Sequence, residues 1–184
     1  NTAAPTVPTA VTAVAGLDTL STRLRTHAAP AVAFPIPAST TPQDLWSVYE
    51  QPAANRGHGE QLTAFGWGDP AGVASDLRQF ETEHGLPAMP FTVKQVGAKG
   101  TDTSGRLEWN LDSQAASGMA PDAAGMTFYF AASGSSDLLA AAISTWADDP
   151  AGAKQASGSY GLCDAFGFLG TFDAHEAALT QAAV

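Results

Sequence analysis

Residues 104–131 read SGRLEWNLDSQAASGMAPDAAGMTFYFA, and this stretch carries the most informative pattern in the chain. Its first half places Leu107, Leu111 and Ala115 on one stripe at helical spacing, which predicts a helix. After a turn that contains glycine and proline comes GMTFYFA (125–131), a short aromatic run that predicts a strand. The stretch is therefore expected to form a helix–turn–strand unit.

The alternation of helix and strand continues on both sides of this unit. A helix is expected to begin after Thr41, a possible N-cap that precedes Pro42 at the first helical position. Further helices are predicted within 71–85, 135–150 and 172–184, and further strands at 61–67, 91–96 and, more weakly, 153–161. Short strands that alternate with helices imply right-handed βαβ crossovers. The predicted fold is α/β, a largely parallel sheet with helices on both faces.

Two regions of the chain differ in composition. Residues 1–40 are rich in Ala, Thr and Pro, and proline fixes φ and removes an amide donor. We expect 1–40 to be a leader, or an arm at a propeptide junction, that includes an extended linker. Residues 41–184 are expected to form one domain, because their number is ordinary for a single domain.

Charge and cysteine content exclude several classes of function. Acidic residues outnumber basic ones 18 to 8, and a net charge of −10 disfavours binding to nucleic acid. Cys163 is the single cysteine, so neither an internal disulfide nor a multi-cysteine zinc site is expected. No apolar run approaches the roughly 20 residues that span a bilayer. We expect no metal ligands in this chain, no nucleic-acid partner and no membrane span.

Glu108 and Asp112 form a carboxylate pair within the first predicted stretch. On a helix they would share one face, with Cβ atoms about 5–6 Å apart. In a closed cleft their repulsion would hold one proton between them, which suits a general base. The alternative is an ordinary acidic pair on a solvated helix face. Apolar neighbours, and a preceding loop at the carboxyl end of strand 91–96 where sites form in parallel sheets, favour a site.

The segment LEWNLDSQAASGMAP followed by MTFYFA resembles the catalytic-helix region of the sedolisins, the serine-carboxyl peptidases. TPQDLWSVYE is similar to the opening helix of that family, and SGSYG (157–161) is similar to its Ser-Trp-Gly substrate strand. The resemblance covers 41–184 and is most specific at 108–121. It implies a subtilisin-like parallel sheet of which this chain is the N-terminal part.

The resemblance also implies roles for particular residues. Glu108 would be the base that takes a proton from a nucleophilic serine, and Asp112 would hold Glu108 in position. Ser159, Tyr160 and Gly161 would border the cleft and offer main-chain groups to an extended peptide substrate. A carboxylate base remains basic at a pH where imidazole is protonated, so the implied activity is peptide hydrolysis in acid.

Further implied parts are expected outside this sequence. The family uses an aspartate at the oxyanion, a serine in Gly-Thr-Ser and a calcium ion near its C-terminus. We expect a second polypeptide, produced by proteolytic processing, to supply the serine, the aspartate and the calcium site. The resemblance implies a secreted, extracellular peptidase, either an endopeptidase or a tripeptidyl peptidase.

Two other classes of function remain open on the sequence. The chain would be a catalytically inactive, sedolisin-like module that binds peptides or proteins if no nucleophile joins it. It would be a nucleotide-binding domain if the turn GWGDPAG (66–72) cradled a phosphate. That turn departs from G-x-G-x-x-G at Ala71, which counts against the second alternative.

Overall fold

The computed structural model describes the backbone of residues 25–26, together with residues 40–161 and 169–183. The expectations for most of the leader 1–40 and for Cys163 lie outside the described residues. Within the described residues no helix is long and apolar enough to cross a membrane.

Helices and strands alternate along the described part of the chain. Their bounds are β1 Arg25–Thr26, α1 Pro42–Val48, a 3₁₀ turn Ala53–Asn55, β2 Gln61–Trp67, α2 Val73–Glu83, β3 Phe91–Val96, α3 Arg106–Met119, β4 Gly125–Ala131, α4 Ser136–Ala147, β5 Tyr160–Gly161 and α5 Leu169–Ala182. Strands β2, β3 and β4 have the bounds that the sequence predicts. The weakly predicted strand at 153–161 is confirmed only at its carboxyl end, as β5.

The main sheet is parallel, with β4 between β2 and β3. Phe65 of β2 lies opposite Tyr129 of β4. Ser157 extends the sheet beyond β2, because the Phe65 amide donates to the Ser157 carbonyl at 3.1 Å and the Ser157 amide donates to Thr63 at 2.9 Å. The segment 157–161 therefore follows β2 in the same direction.

Helices cover both faces of this sheet. On one face Phe128 and Phe130 of β4 pack into a cluster with Trp109 of α3. On the other face Tyr129 of β4 packs with Ile143 of α4, and α5 packs against α4. The predicted α/β architecture, a parallel sheet with helices on both faces, is confirmed.

The apolar stripe that predicts the helix α3 is not the buried face of that helix. The stripe of Leu107, Leu111 and Ala115 faces solvent, and the two leucines are 53% and 54% exposed. The buried face of α3 instead carries Glu108, Trp109, Ser113, Ser117 and Gly118. The small residues at the end of this face let α1 and α2 approach closely, since the Gly118 position lies against Pro42 and Phe80. Close packing of helices therefore took precedence over burial of the leucines.

Candidate active site

The loops that follow β2, β3 and β4 meet at the carboxyl edge of the sheet. The Asp69 amide donates to the Asp102 carbonyl at 2.8 Å, which joins the first two loops. Gly68 has φ of +86°, and a Cβ there would lie 2.0 Å from the Asp102 carbonyl oxygen. A Cβ at Gly100 would lie 2.3 Å from the carbonyl oxygen of Ala132. These glycines allow the three loops to touch, and α3 begins directly beside them.

This packing argues against a nucleotide site in the turn 66–72. A Cβ at Gly66 would lie 2.9 Å from the Phe130 ring, and the Gly68 position is filled by the main chain of Asp102. A phosphate-binding turn needs an open cradle of amide groups at a helix N-terminus. Here side chain and main chain already occupy that space, so the structure gives no support to the nucleotide-binding alternative.

Glu108 lies in the first turn of α3 and is 3% exposed. The turn is held by Trp109, whose indole nitrogen donates to the Trp67 carbonyl at 3.2 Å. The rings of Trp109 and Trp67 also meet edge to face, with centroids 4.9 Å apart. Glu108 is thus buried at the N-terminal end of α3, where the helix dipole favours a negative charge. The alternative interpretation, an ordinary acidic pair on a solvated helix face, does not fit the burial of Glu108.

Asp112 lies one helical turn further along α3 and is partly buried. Its Oδ1 accepts a hydrogen bond of 2.7 Å from the Ser159 hydroxyl, whereas its Oδ2 is buried and has no hydrogen-bond partner among the described residues. Burial raises the pKa of Asp112 to about 6. The Ser159 hydrogen bond lowers this pKa, and the charge of Glu108 raises it.

The two carboxyl groups therefore act on each other within a partly closed environment. A carboxyl with a pKa of about 6 carries a proton in mild acid. Two neighbouring carboxyl groups that share one proton can pass it between them or hold one another in a fixed orientation. The predicted roles of Glu108 and Asp112, a general base and the orienting partner that the resemblance implies, would use this coupling.

The predicted substrate residues Ser159, Tyr160 and Gly161 lie beside this pair. Ser159 contacts Asp112 directly, and the Tyr160 ring meets the Trp67 ring with centroids 5.9 Å apart. Burial raises the pKa of Tyr160 to about 12, so its hydroxyl remains neutral. The structure therefore brings all five predicted site residues to one region, through contacts of Ser159 with α3 and of Tyr160 with Trp67.

The main chain of β5 already pairs with an extended segment. Arg25 lies opposite Gly161 and Thr26 lies opposite Tyr160 in an antiparallel ladder. Backbone groups at this edge are thus oriented to accept a strand.

A pocket of about 310 Å³ lies next to the pair, between α3 and the segment 155–157. It is lined by Leu62, Thr63, Ala64, Asp112, Ala115, Ala116, Met126, Gln155, Ala156 and Ser157. Sequence reasoning missed this pocket because its lining comes from four separate parts of the chain and contains no motif. Asp112 connects it to the acid pair.

No cluster of metal-binding side chains accompanies the site. Within the described residues, no group of three or more His, Cys, Asp or Glu side chains is placed to hold a metal ion. The expected calcium of the resembled family was assigned to residues outside this chain, so its presence remains a prediction.

Comparison with known proteins supports the fold. Neither protein-family profiles nor curated protein sequences match the chain. Among solved structures, the chain is similar to Pseudomonas sedolisin, a serine-carboxyl proteinase complexed with two molecules of pseudo-iodotyrostatin. The TM-score is 0.68 at 25% sequence identity, over 78% of this chain.

The fold is sedolisin-like. The matched region is 41% of the Pseudomonas protein, so the chain spans less than half of its length. The observed sheet and its flanking helices fit part of a subtilisin-like domain. The comparison concerns the backbone arrangement, and the chemical roles of Glu108 and Asp112 depend on the geometry described above.

Proposed function

We propose that this chain supplies the acid pair and part of the substrate cleft of an acid-active serine-carboxyl peptidase. The observation that carries this proposal is the burial of Glu108 beside Asp112 at the carboxyl edge of the sheet. The sedolisin-like fold supports it, because the similar Pseudomonas protein is a serine-carboxyl proteinase.

In the proposed mechanism Glu108 takes the proton of a serine hydroxyl as that oxygen attacks the scissile carbonyl. Asp112, protonated in acid because its pKa is about 6, donates a hydrogen bond to Glu108 and holds it in place. Glu108 then returns the proton to the leaving amine. A carboxylate base suits this chemistry at a pH where histidine would be protonated.

The substrate is proposed to be an extended peptide that adds a strand to β5. The pairing of Arg25 and Thr26 with Gly161 and Tyr160 supports this, because it shows the edge in a strand-accepting conformation. Main-chain pairing gives affinity with little dependence on sequence, while side-chain pockets give preference.

A second polypeptide is proposed to complete the site. It would carry the nucleophilic serine, the oxyanion aspartate and a calcium ion, and the assembled enzyme would be secreted. Native material should then contain a copurifying polypeptide with Gly-Thr-Ser, which intact mass and N-terminal sequencing would identify. A lone chain in active native material would contradict the two-chain arrangement.

An inactive binding module is the second candidate. The strand-accepting edge of Tyr160–Gly161 favours it as well, since peptide binding there needs no nucleophile. The two candidates differ in one respect: the binding module would retain peptide affinity and show no turnover in any preparation, whereas the peptidase would hydrolyse the bound peptide.

The experiment that tests the peptidase is Glu108→Gln in the complete assembly. We expect peptide hydrolysis near pH 4 to fall by about 10²–10⁴-fold, because a proton acceptor is lost, while the far-UV circular dichroism is unchanged. Glu83→Gln, an exposed acid-to-amide change on α2, is the matched control and should retain full activity. Full activity of the Glu108→Gln assembly would overturn the proposed role.

A further inference from the structure

The segment 157–161 is joined to α3 by two separate contacts. The Tyr160 ring packs on Trp67, which itself packs on Trp109 of α3. The Ser159 hydroxyl donates to Asp112 Oδ1 at 2.7 Å, across 47 residues of sequence. The aromatic contact positions the segment over the sheet, and the hydroxyl contact reaches the acid pair itself.

The Ser159 hydroxyl is the hydrogen-bond donor to Asp112 within the described residues. Oδ2 of Asp112 is buried and has no hydrogen-bond partner there. A carboxyl held by a single hydrogen bond takes its rotation from that bond. Removal of the donor would take away the hydrogen bond that Asp112 accepts within the described residues.

The other elements around Asp112 bring little charge to it. On α3 itself Glu108 is the charged group that acts on Asp112. Strand β2 contributes Leu62, Thr63 and Ala64 to the adjoining pocket, and the segment 155–157 contributes uncharged side chains. Within the described residues, the Ser159 hydrogen bond is therefore the main contact that favours the charged form of Asp112, which burial disfavours.

We propose that Ser159 is a positioning residue of the acid pair: its hydroxyl orients Asp112 and couples the peptide-binding edge of β5 to the carboxyl groups on α3. The proposal rests on the proposed function and changes the role expected for Ser159. Its hydroxyl proton is directed at Asp112, so a bound peptide uses the main chain of Tyr160 and Gly161. Ser159 then acts on the reaction through Asp112 without touching the substrate.

The direct test is titration of the Asp112 side-chain carboxyl by ¹³C NMR in the full 184-residue chain. Ser159→Ala is expected to raise the Asp112 pKa by about one unit, because a hydrogen bond to the charged form is lost. Ser159→Thr, which keeps a hydroxyl, should restore the original midpoint. An unchanged midpoint in a folded Ser159→Ala chain would overturn the proposal.

Ser157→Ala is the matched control for this test. Ser157 lies two residues earlier in the same segment, its main chain pairs with β2, and its side chain is exposed. This change should leave the Asp112 midpoint within about 0.2 units, since it removes no contact to the carboxyl. If Ser159→Ala does not fold, Ser159→Cys carries the same test, because it keeps the shape and offers only a weak S–H donor.

A kinetic measurement separates positioning from substrate binding. In the complete assembly Ser159→Ala should lower kcat about tenfold with KM nearly unchanged, because the misplaced acid pair affects the chemical step. A raised KM with unchanged kcat would show that Ser159 binds substrate and would overturn the positioning role. The NMR titration needs no nucleophile or second chain, so it decides the role of Ser159 even if the assembly proves inactive.

Discussion

Two buried glutamates on neighbouring helices are held in opposite ways. Glu81 of α2 is 2% exposed and Glu108 of α3 is 3% exposed. The Glu81 carboxylate is surrounded by donors and a cation, whereas Glu108 acts on a second acid one turn away. Burial alone does not therefore distinguish the two glutamates. The charges and donors nearby make that distinction.

The Glu81 contacts show how a buried charge serves the fold. Arg78 forms an ion pair with Oε2 at 2.9 Å, and the Ser117 hydroxyl of α3 donates to Oε1 at 2.9 Å. The Met89 amide donates to Oε1 at 3.1 Å. This network ties α2 to α3 and to the loop that precedes β3. Its hydrogen bonds and opposite charge offset the cost of burial.

The Glu108–Asp112 pair places two acids close together, whereas the Glu81 network places a charge of opposite sign beside the carboxylate. Within the described residues Asp112 forms no ion pair, and its pKa is raised to about 6 mainly by burial. A raised carboxyl pKa means that folding favours the protonated form of this group. Such an arrangement costs stability at neutral pH.

The largest expected effect is on the structural acid. Glu81→Gln should lower the free energy of unfolding by about 2–3 kcal/mol, because it removes the charge that pairs with Arg78 and weakens the hydrogen bonds that Oε1 accepts from Ser117 and Met89. Glu83→Gln, on the exposed side of the same helix, should change stability by less than about 0.5 kcal/mol. Urea denaturation followed by circular dichroism measures both, and equal losses would contradict the distinction between the two glutamates.

An intermediate effect, of opposite sign, is expected at Asp112. Its folded pKa of about 6 exceeds the ordinary 3.8, so its contribution to stability is complete below pH 3.8 and is lost as pH rises through 6. Asp112→Asn should therefore stabilise the chain at pH 7 by about 1–2 kcal/mol, after allowance for solvent screening, and have little effect near pH 4.

Thermal unfolding at several pH values would check the Asp112 prediction. Asp122→Asn, at an exposed position in the turn before β4, is the matched control, and its effect on stability should be the same at pH 4 and pH 7. Destabilisation by Asp112→Asn at pH 7 would mean that Asp112 is a structural acid like Glu81.

The smallest effect is expected at an exposed ion pair between the same two helices. Asp76 of α2 accepts three hydrogen bonds from Arg106 of α3 and one from Asn110, and these lower the pKa of Asp76. Asp76→Asn should cost only about 0.5 kcal/mol, because water screens the pair. The contribution of this ion pair should fall further in 1 M salt, because the Debye length is then only about 3 Å. If Asp76→Asn costs as much stability in high salt as in low salt, the contact is not chiefly electrostatic.

The strands of the main sheet could be predicted from the sequence. The runs 61–67, 91–96 and 125–131 are bounded by glycine or proline, and their bounds match β2, β3 and β4. The N-cap of α1 was also predicted from the sequence and is confirmed. The Thr41 hydroxyl accepts from the Asp44 amide, and the Asp44 carboxylate accepts from the Thr41 amide. Local composition determines these features because each depends on neighbouring residues.

The buried face of α3 could not be predicted in the same way. Leu107 and Leu111 share a face by their spacing, yet both are exposed, because spacing shows which residues share a face and not what covers that face. The choice was made by Trp109, which anchors on Trp67, and by Ser117, which reaches Glu81. These contacts join residues that are 42 and 36 positions apart.

The sequence by itself determined the order of helices and strands and the one-turn separation of Glu108 and Asp112. Only the tertiary structure decided that Glu108 is buried, and that Asp112 meets Ser159, which lies 47 residues further along the chain. The physical reason is that periodicity is a property of adjacent residues. Burial, donor contacts and therefore pKa depend on groups that only folding brings together.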